Sequence, residues 1–271
     1  MPELPEVETV RRGIAPHITG KKITGLTVRN RRLRRPVWGG LARTLSGRRV
    51  QNVGRRAKYL LLTVDGGCLL VHLGMSGSLR VLTRARPPGA HDHVDVRFGG
   101  GLCLRFCDPR RFGCMVWTAR DPLRHPLLRD AGPEPLGDDF SGATLHRKSR
   151  GRSGAVKSFV MDGRVVAGVG NIYAGEALFR AGIHPLRPAG RISAGRYDKL
   201  AAEIKAVLTE AITAGGTTLR DFVNSAGDRG YFTPRLQVYD RAGLPCPRCS
   251  RPLRRTVSGQ RSTFYCGGCQ R

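Results

Sequence analysis

The sequence predicts an α+β multidomain chain: an N-terminal β-sandwich with an N-terminal helix, then a helical domain, then a small C-terminal module tied by cysteines. Three observations carry this. Short apolar runs separated by Gly, Pro and Asp recur between residues 22 and 118. Beyond residue 155 the apolar spacing becomes helical. Residues 235–271 hold two C-x-x-C pairs, eight Arg and a single acid, Asp240.

Taken in order, residues 4–14 read as a helix, because Leu4, Val7, Val10 and Ile14 share a face. Pro5 and Glu6 suit a first turn, Arg11 and Arg12 a last turn, and Gly13 a C-cap. Strands are expected at 24–28, 59–64, 68–73, 79–82, 94–98, 102–106 and 114–117. Residues 133–152, rich in Gly, Pro, Ser and basic residues, read as a linker between an N-terminal domain (1–132) and a helical domain (153–234). Within the latter, a helix is expected at about 171–181. A second, amphipathic helix carries Leu200, Ile204, Val207, Leu208, Ala211 and Ile212 and stops at Gly215-Gly216.

Lys+Arg number 47 against 20 Asp+Glu, a net charge of +27. Only 7 of the 47 are Lys. A genomic preference for Arg codons explains Arg in place of Lys but not the excess itself, so the field points to a polyanionic partner, nucleic acid first. No run reaches the ~18 apolar residues of a membrane span. The N-terminus lacks a basic region followed by an apolar one. A cytosolic protein is expected, and its eight cysteines are not expected to form disulfides.

Cys246-Pro-Arg-Cys249 and, sixteen residues on, Cys266-Gly-Gly-Cys269 have the spacing of a zinc ribbon. Four thiolates close the tetrahedron, so one structural Zn2+ is expected, with no open position for catalysis. The alternative, a pair of redox C-x-x-C motifs, lacks a βαβ context. Cys68, Cys103, Cys107 and Cys114 read as small buried hydrophobes. His91 and His93 lack further ligands for a second metal site.

Residue 2 is Pro, and removal of Met1 would expose a secondary amine. A terminal amine titrates at about 7.7–8.0, so a neutral fraction exists at pH 7, and beside Glu3 and Glu6 it could attack an electrophilic carbon. Taken alone, the stretch reads as ordinary helix capping. Phe112, after two Arg and before a Gly, is an unusual core anchor and reads as an inserting side chain.

Longer motifs decide the matter. The opening Met-Pro-Glu-Leu-Pro-Glu-Val-Glu-Thr-Val-Arg-Arg-Gly, the segment from Gly54 to Leu61, His72-Leu73-Gly74-Met75-Ser76-Gly77, Asp108-Pro109-Arg110-Arg111-Phe112-Gly113, and Gly168-Val169-Gly170-Asn171-Ile172-Tyr173-Ala174, with the terminal cysteines, resemble the formamidopyrimidine-DNA glycosylase family from end to end. The resemblance implies a helix–two-turns–helix DNA-binding domain and a bacterial base-excision enzyme acting on damaged double-stranded DNA. It implies a monomer with no organic cofactor and no membrane association, located in the cytoplasm with the nucleoid. It further implies removal of oxidised purines, 8-oxoguanine and formamidopyrimidines, through a Pro2 Schiff base, then strand cleavage by β,δ-elimination. By similarity Pro2, Glu3 and Lys58 are catalytic, and Glu6 and Lys157 support them. His72, Met75, Arg110, Phe112, Asn171 and Arg261 contact DNA. Residues 217–222 would form a loop over the flipped base. Two alternatives are an endonuclease VIII-type enzyme for oxidised pyrimidines and a non-catalytic zinc-ribbon DNA-binding protein. The complete Met75/Arg110/Phe112 set disfavours the first, and Pro2, Glu3 and Lys58 together disfavour the second.

Overall fold

A computed structural model describes residues 2–84, 86–215 and 236–271. The chain divides into two compact units. One contains the residues up to Arg129; the other joins Asp130–Thr213 to the C-terminal residues.

The first unit opens with helix α1, Leu4–Ile18. It passes the end expected at Gly13, because Ile14 and Ile18 continue the stripe begun by Val7 and Val10 and are fully buried. Burial outweighs the glycine. Pro16 sits in the last turn, where its missing N–H costs one hydrogen bond, and the Thr19 N–H closes the helix on Ala15 O at 3.0 Å.

Eight strands follow: β1 (Ile23–Val28), β2 (Val50–Arg56), β3 (Tyr59–Val64), β4 (Gly67–His72), β5 (Ser78–Leu82), β6 (Asp92–Phe98), β7 (Cys103–Cys107) and β8 (Cys114–Thr118). They form two four-stranded sheets, ordered β1-β6-β7-β5 and β2-β3-β4-β8, with antiparallel pairing throughout. Residues of both sheets and of α1 share one apolar core. The short helix α2, Leu41–Leu45, adds Leu41 and Leu45 to it. Neither α2 nor β2 stands out in the sequence. β2 is an edge strand on which only Val50 and Val53 are buried, so it shows no run of apolar residues.

The second unit contains α3 (Gly142–Ser149), α4 (Val156–Met161), α5 (Asn171–Ala181) and α6 (Ala194–Thr213). α3 lies within the stretch read as a linker. Ser141 caps it by accepting the Thr144 N–H at 3.2 Å, and Leu145 is buried. Gly142, at the start of α3, is a packing glycine: a Cβ there would come within 2.4 Å of the Asp198 backbone on α6. α5 has the expected bounds and ends on Gly182 with φ +72°. A hairpin of β9 (Arg254–Ser258) and β10 (Arg261–Tyr265) completes the unit. Gly216 and the loop 217–222 lie outside the described residues. Among the described residues, no helix is long and apolar enough to cross a membrane.

Candidate active site and nucleic-acid interface

Glu3 is the N-cap of α1, and its backbone N–H donates to the Glu6 carboxylate at 2.7 Å. Glu3 and Glu6 form a reciprocal capping box. Both carboxylates are buried, at 3% and 0% exposure, next to a buried Pro2. Capping and catalytic placement are therefore the same arrangement: the hydrogen bonds that start the helix also fix two carboxylates beside residue 2.

Lys58 sits in the two-residue turn of the β2–β3 hairpin, where Arg56 pairs with Tyr59. Ala57 before it has φ +52°, a left-handed conformation that is costly outside Gly. Sequence reading missed what ties this hairpin to α1. Glu8, one turn beyond Glu3, accepts from Arg11 Nη2 at 2.7 Å, Arg12 Nε at 3.0 Å and Arg55 Nε at 3.2 Å. Burial pushes its carboxyl up, but the guanidiniums of Arg11, Arg12 and Arg55 outweigh that and hold it below the ordinary value. One carboxylate thus links the helix that presents Pro2 to the strand that leads into Lys58.

The three expected inserting side chains are brought together. Met75 and Phe112 are 37% and 44% exposed, unusual for large apolar groups. The Arg110 guanidinium lies 4.9 Å from the Phe112 ring centroid. Two loops carry them, and a Cβ on Gly74 (φ +69°) would come within 2.4 Å of the Gly113 backbone nitrogen, so only glycine allows the loops to touch. The fully buried Asp108 joins them. Its Oδ1 accepts from Ser76 Oγ at 2.9 Å and its Oδ2 from the Gly113 N–H at 2.8 Å. Ser76 Oγ in turn accepts the Arg110 N–H at 3.2 Å. The Asp108 carbonyl lies 2.8 Å from His93 Nε2, which gives that histidine a structural place.

His72 lies at the end of β4, packed at a tilt of 54° against Tyr59 with ring centroids 4.6 Å apart. Its Nδ1 accepts the Gly74 N–H at 2.9 Å. Burial first, then the nearby charges of Lys58 and Arg34, lower its pKa to about 4. At neutral pH the ring is uncharged, and with Nδ1 as acceptor the proton is on Nε2. Burial pushes the thiols of Cys68, Cys103 and Cys107 up to about 11, so they remain protonated and inert.

In the second unit, Gly168 (φ +79°) and Gly170 lead the chain into α5. Asn171, its first residue, donates from Nδ2 to Ser262 O at 3.1 Å. Lys157 donates to the same carbonyl at 3.1 Å and to Thr263 Oγ1 at 2.8 Å. The buried Lys157 ammonium therefore holds β10, where Arg261 is the first residue. The turn before Arg261 uses Gly259 and Gln260, both at positive φ, as a tight hairpin of matching twist requires.

The four finger cysteines bring all their sulfurs within 4.8 Å of one another. Cys246 and Cys269 sulfurs are 3.8 Å apart, and those of Cys249 and Cys266 3.4 Å. Tetrahedral Zn–S bonds of ~2.3 Å place sulfurs about 3.8 Å apart, so the donor set fits one structural zinc. Gln270 braces it, accepting the Cys266 N–H at 2.8 Å and donating to Ile183 O at 2.8 Å.

A β-sandwich with buried carboxylates at its N-terminus, exposed large apolar side chains on paired loops, a helical module and a zinc finger defines a DNA-binding repair glycosylase. Family models agree. The formamidopyrimidine-DNA glycosylase N-terminal domain matches residues 1–115, its H2TH domain residues 131–223, and the zinc finger found in FPG and IleRS residues 243–271. The formamidopyrimidine-DNA glycosylase of Methylococcus capsulatus is 62% identical over 271 residues, all of both chains. The Fpg (MutM) protein of Thermus thermophilus superposes with a TM-score of 0.89 at 38% identity, covering 99% of this chain and 98% of that one. Lactococcus lactis Fpg, in complex with DNA containing an abasic site, gives 0.91 at 33% identity, with 99% of each chain covered. The chain belongs to the formamidopyrimidine-DNA glycosylase family.

Proposed function

We propose that the chain is a bifunctional glycosylase and AP lyase that removes oxidised purines from duplex DNA and then cuts the strand at the abasic site. The observation that carries this is the placement of Glu3 and Glu6 beside Pro2 by the first turn of α1.

With Met1 removed, the Pro2 nitrogen attacks C1′ of the damaged nucleotide. The Glu3 carboxyl gives its proton to the sugar ring oxygen, which opens the ring; the attacking nitrogen loses its own proton, and its lone pair forms the C1′=N iminium as the N-glycosidic electron pair leaves with the base, which takes up that proton. The resulting iminium acidifies the C2′ proton. Its loss expels the 3′ phosphate, and loss of the C4′ proton expels the 5′ phosphate. Hydrolysis of the iminium returns the amine. Lys58 holds a phosphate next to the lesion, and His72 offers its Nε2 proton to another without carrying charge.

A base reached in this way has left the stack. Met75, Arg110 and Phe112 fill the gap: Phe wedges between base pairs and Arg faces the orphaned partner base. Lys157 and Asn171 position β10 so that Arg261 meets the backbone, and the N–H groups at the start of α5 meet a phosphate. The zinc, held by Cys246, Cys249, Cys266 and Cys269, supplies rigidity and no chemistry. The partner is damaged duplex DNA, and the chain works as a monomer in the cytoplasm.

Borohydride trapping on an 8-oxoguanine duplex tests the reading. A covalent protein–DNA adduct should form with a free Pro2 terminus and vanish with an uncleaved N-terminal tag, whereas a C-terminal tag should leave it intact. Undiminished trapping by the blocked protein would move the nucleophile to a lysine.

A further inference from the structure

The outward face of the β1-β6-β7-β5 sheet carries a concavity that the proposed chemistry does not use. Strand alternation sends Val94, Val96, Leu104 and Phe106 into the core and leaves Asp95, Arg97, Cys103 and Arg105 on the opposite face. The segment 86–88, beyond β5, lies over that face, where Arg105 Nη1 donates to Pro87 O at 3.1 Å. Between segment and sheet is a cavity of ≈560 Å³, with Leu82, Leu102 and Cys103 in its floor and Arg84, Arg86 and Arg97 at its rim. This face is turned away from the core into which α1 packs.

The charges around it do not balance. Five arginines and one carboxylate, Asp95, line the cavity. Arg105 meets Asp95 at 2.8 Å and Asp92 at 3.3 Å, and Arg29 also pairs with Asp95. Those two cations are neutralised by the two aspartates. Among the described residues, Arg84, Arg86 and Arg97 form no ion pair; Arg97 gives a hydrogen bond to the Thr27 hydroxyl. Three uncompensated guanidiniums around a concavity favour a phosphate, which they can grip through paired N–H donors. The apolar floor favours a flat ring, and the volume is that of a small-ligand site, too small for a duplex.

We propose that this cavity binds a nucleoside 5′-phosphate, either a free nucleotide or the phosphorylated end of a single strand. The phosphate is held by Arg84, Arg86 and Arg97, and the base lies on the floor of Leu82 and Leu102. The site is separate from Pro2 and does not depend on the reaction assigned to it.

The test is calorimetric titration of deoxyadenosine 5′-monophosphate into the full chain already saturated with a duplex carrying a stable abasic analogue. One nucleotide should bind per chain. Arg84→Ala and Arg97→Ala should each weaken it roughly tenfold, the loss of one charge-assisted contact, with the melting temperature and the excision rate unchanged. Inorganic phosphate and deoxyadenosine should each bind more weakly than the nucleotide. A 5′-phosphorylated trinucleotide that displaces the nucleotide assigns the site to strand ends; one that does not assigns it to free nucleotides. No binding to the duplex-saturated protein, or binding that both variants retain in full, overturns the proposal.

Discussion

Asp108 holds Ser76 across 32 residues of sequence, at 2.9 Å, and in doing so joins the loop of Met75 to the loop of Arg110 and Phe112. Both carboxylate oxygens are used, the second by the Gly113 amide. Asp108→Ala should leave that amide and the Ser76 hydroxyl without their acceptor in a fully buried place, at a cost of about 1–3 kcal/mol. Denaturant unfolding should report that loss. Excision should suffer mainly through weaker binding of the lesion duplex, because the side chains proposed to fill the void lose their common frame while Pro2 and Glu3 are untouched. Ser76→Ala removes one of these bonds and should give a smaller effect of the same kind. Wild-type duplex affinity in Asp108→Ala would show that the loops hold themselves.

Glu8 gives a pH-dependent term. Its folded carboxyl is held below the ordinary value of 4.5 by Arg11, Arg12 and Arg55. The stability it contributes is therefore fully present above that ordinary value and is lost as pH falls through the lower folded value. Acid unfolding of the wild type should steepen as pH falls below the ordinary carboxyl value of 4.5. Glu8→Gln should be less stable at pH 7 and flatter across that acid range. Identical acid curves for the two proteins would mean that the arginines lend nothing to the carboxylate. The same variant should slow cleavage of a preformed abasic site, because the Glu8–Arg55 link between α1, which begins beside Pro2, and β2, which leads into Lys58, is lost.

Glu176 is a buried carboxylate that accepts three consecutive backbone N–H groups, from Gln237 at 2.8 Å, Val238 at 3.0 Å and Tyr239 at 2.9 Å. It anchors the chain at its entry into the zinc finger to α5. Glu176→Ala strands three amides and should speed zinc release to a chelator, followed by colorimetric zinc detection, and lower duplex affinity. Glu176→Gln keeps one acceptor oxygen and should fall between. Equal release rates for Glu176→Ala and wild type would confine the carboxylate's influence to α5.

These residues mark the limit of what the sequence discloses. Phe112, set between two Arg and a Gly, and the four paired cysteines stand out from the residues themselves, whereas Pro2 and Glu3 alone read as helix capping and, with Lys58 and Met75, become legible only through the longer family motifs. The apolar strands and α5 are legible because burial leaves a period. Glu8, Asp108 and Glu176 are ordinary acids in ordinary local settings. The bonds by which they tie one element to another run to partners 32 to 63 residues away, a pairing no local pattern encodes. The same holds for β2 and α3, whose few buried side chains, Val50, Val53 and Leu145 among them, leave no periodic signal.

His72, proposed to contact DNA, separates charge from hydrogen bonding. Its pKa of about 4 means that it adds no positive charge near neutrality, so the DNA contact proposed for it would be a neutral N–H from Nε2. Protonation would begin only well below pH 5. Duplex affinity should therefore show no histidine-linked rise between pH 8 and pH 5.5 that His72→Asn removes. His72→Asn keeps an acceptor at the place of Nδ1, so the turn at Gly74 should persist and the melting temperature should change little. It loses the outward donor, so lesion-duplex binding should weaken by a factor of about 3 to 10, the worth of one hydrogen bond to a charged partner diminished by solvent. His72→Gln reaches the place of Nε2 with an amide N–H but gives up the Gly74 bond. It should recover binding while destabilising the loop, reversing the pattern of the Asn variant. A titrating histidine would behave differently: wild-type affinity would climb as pH falls through 6.5, and neither amide would reproduce it. Fluorescence anisotropy at fixed ionic strength across that pH range, on all three proteins, decides between a neutral donor and a charged one.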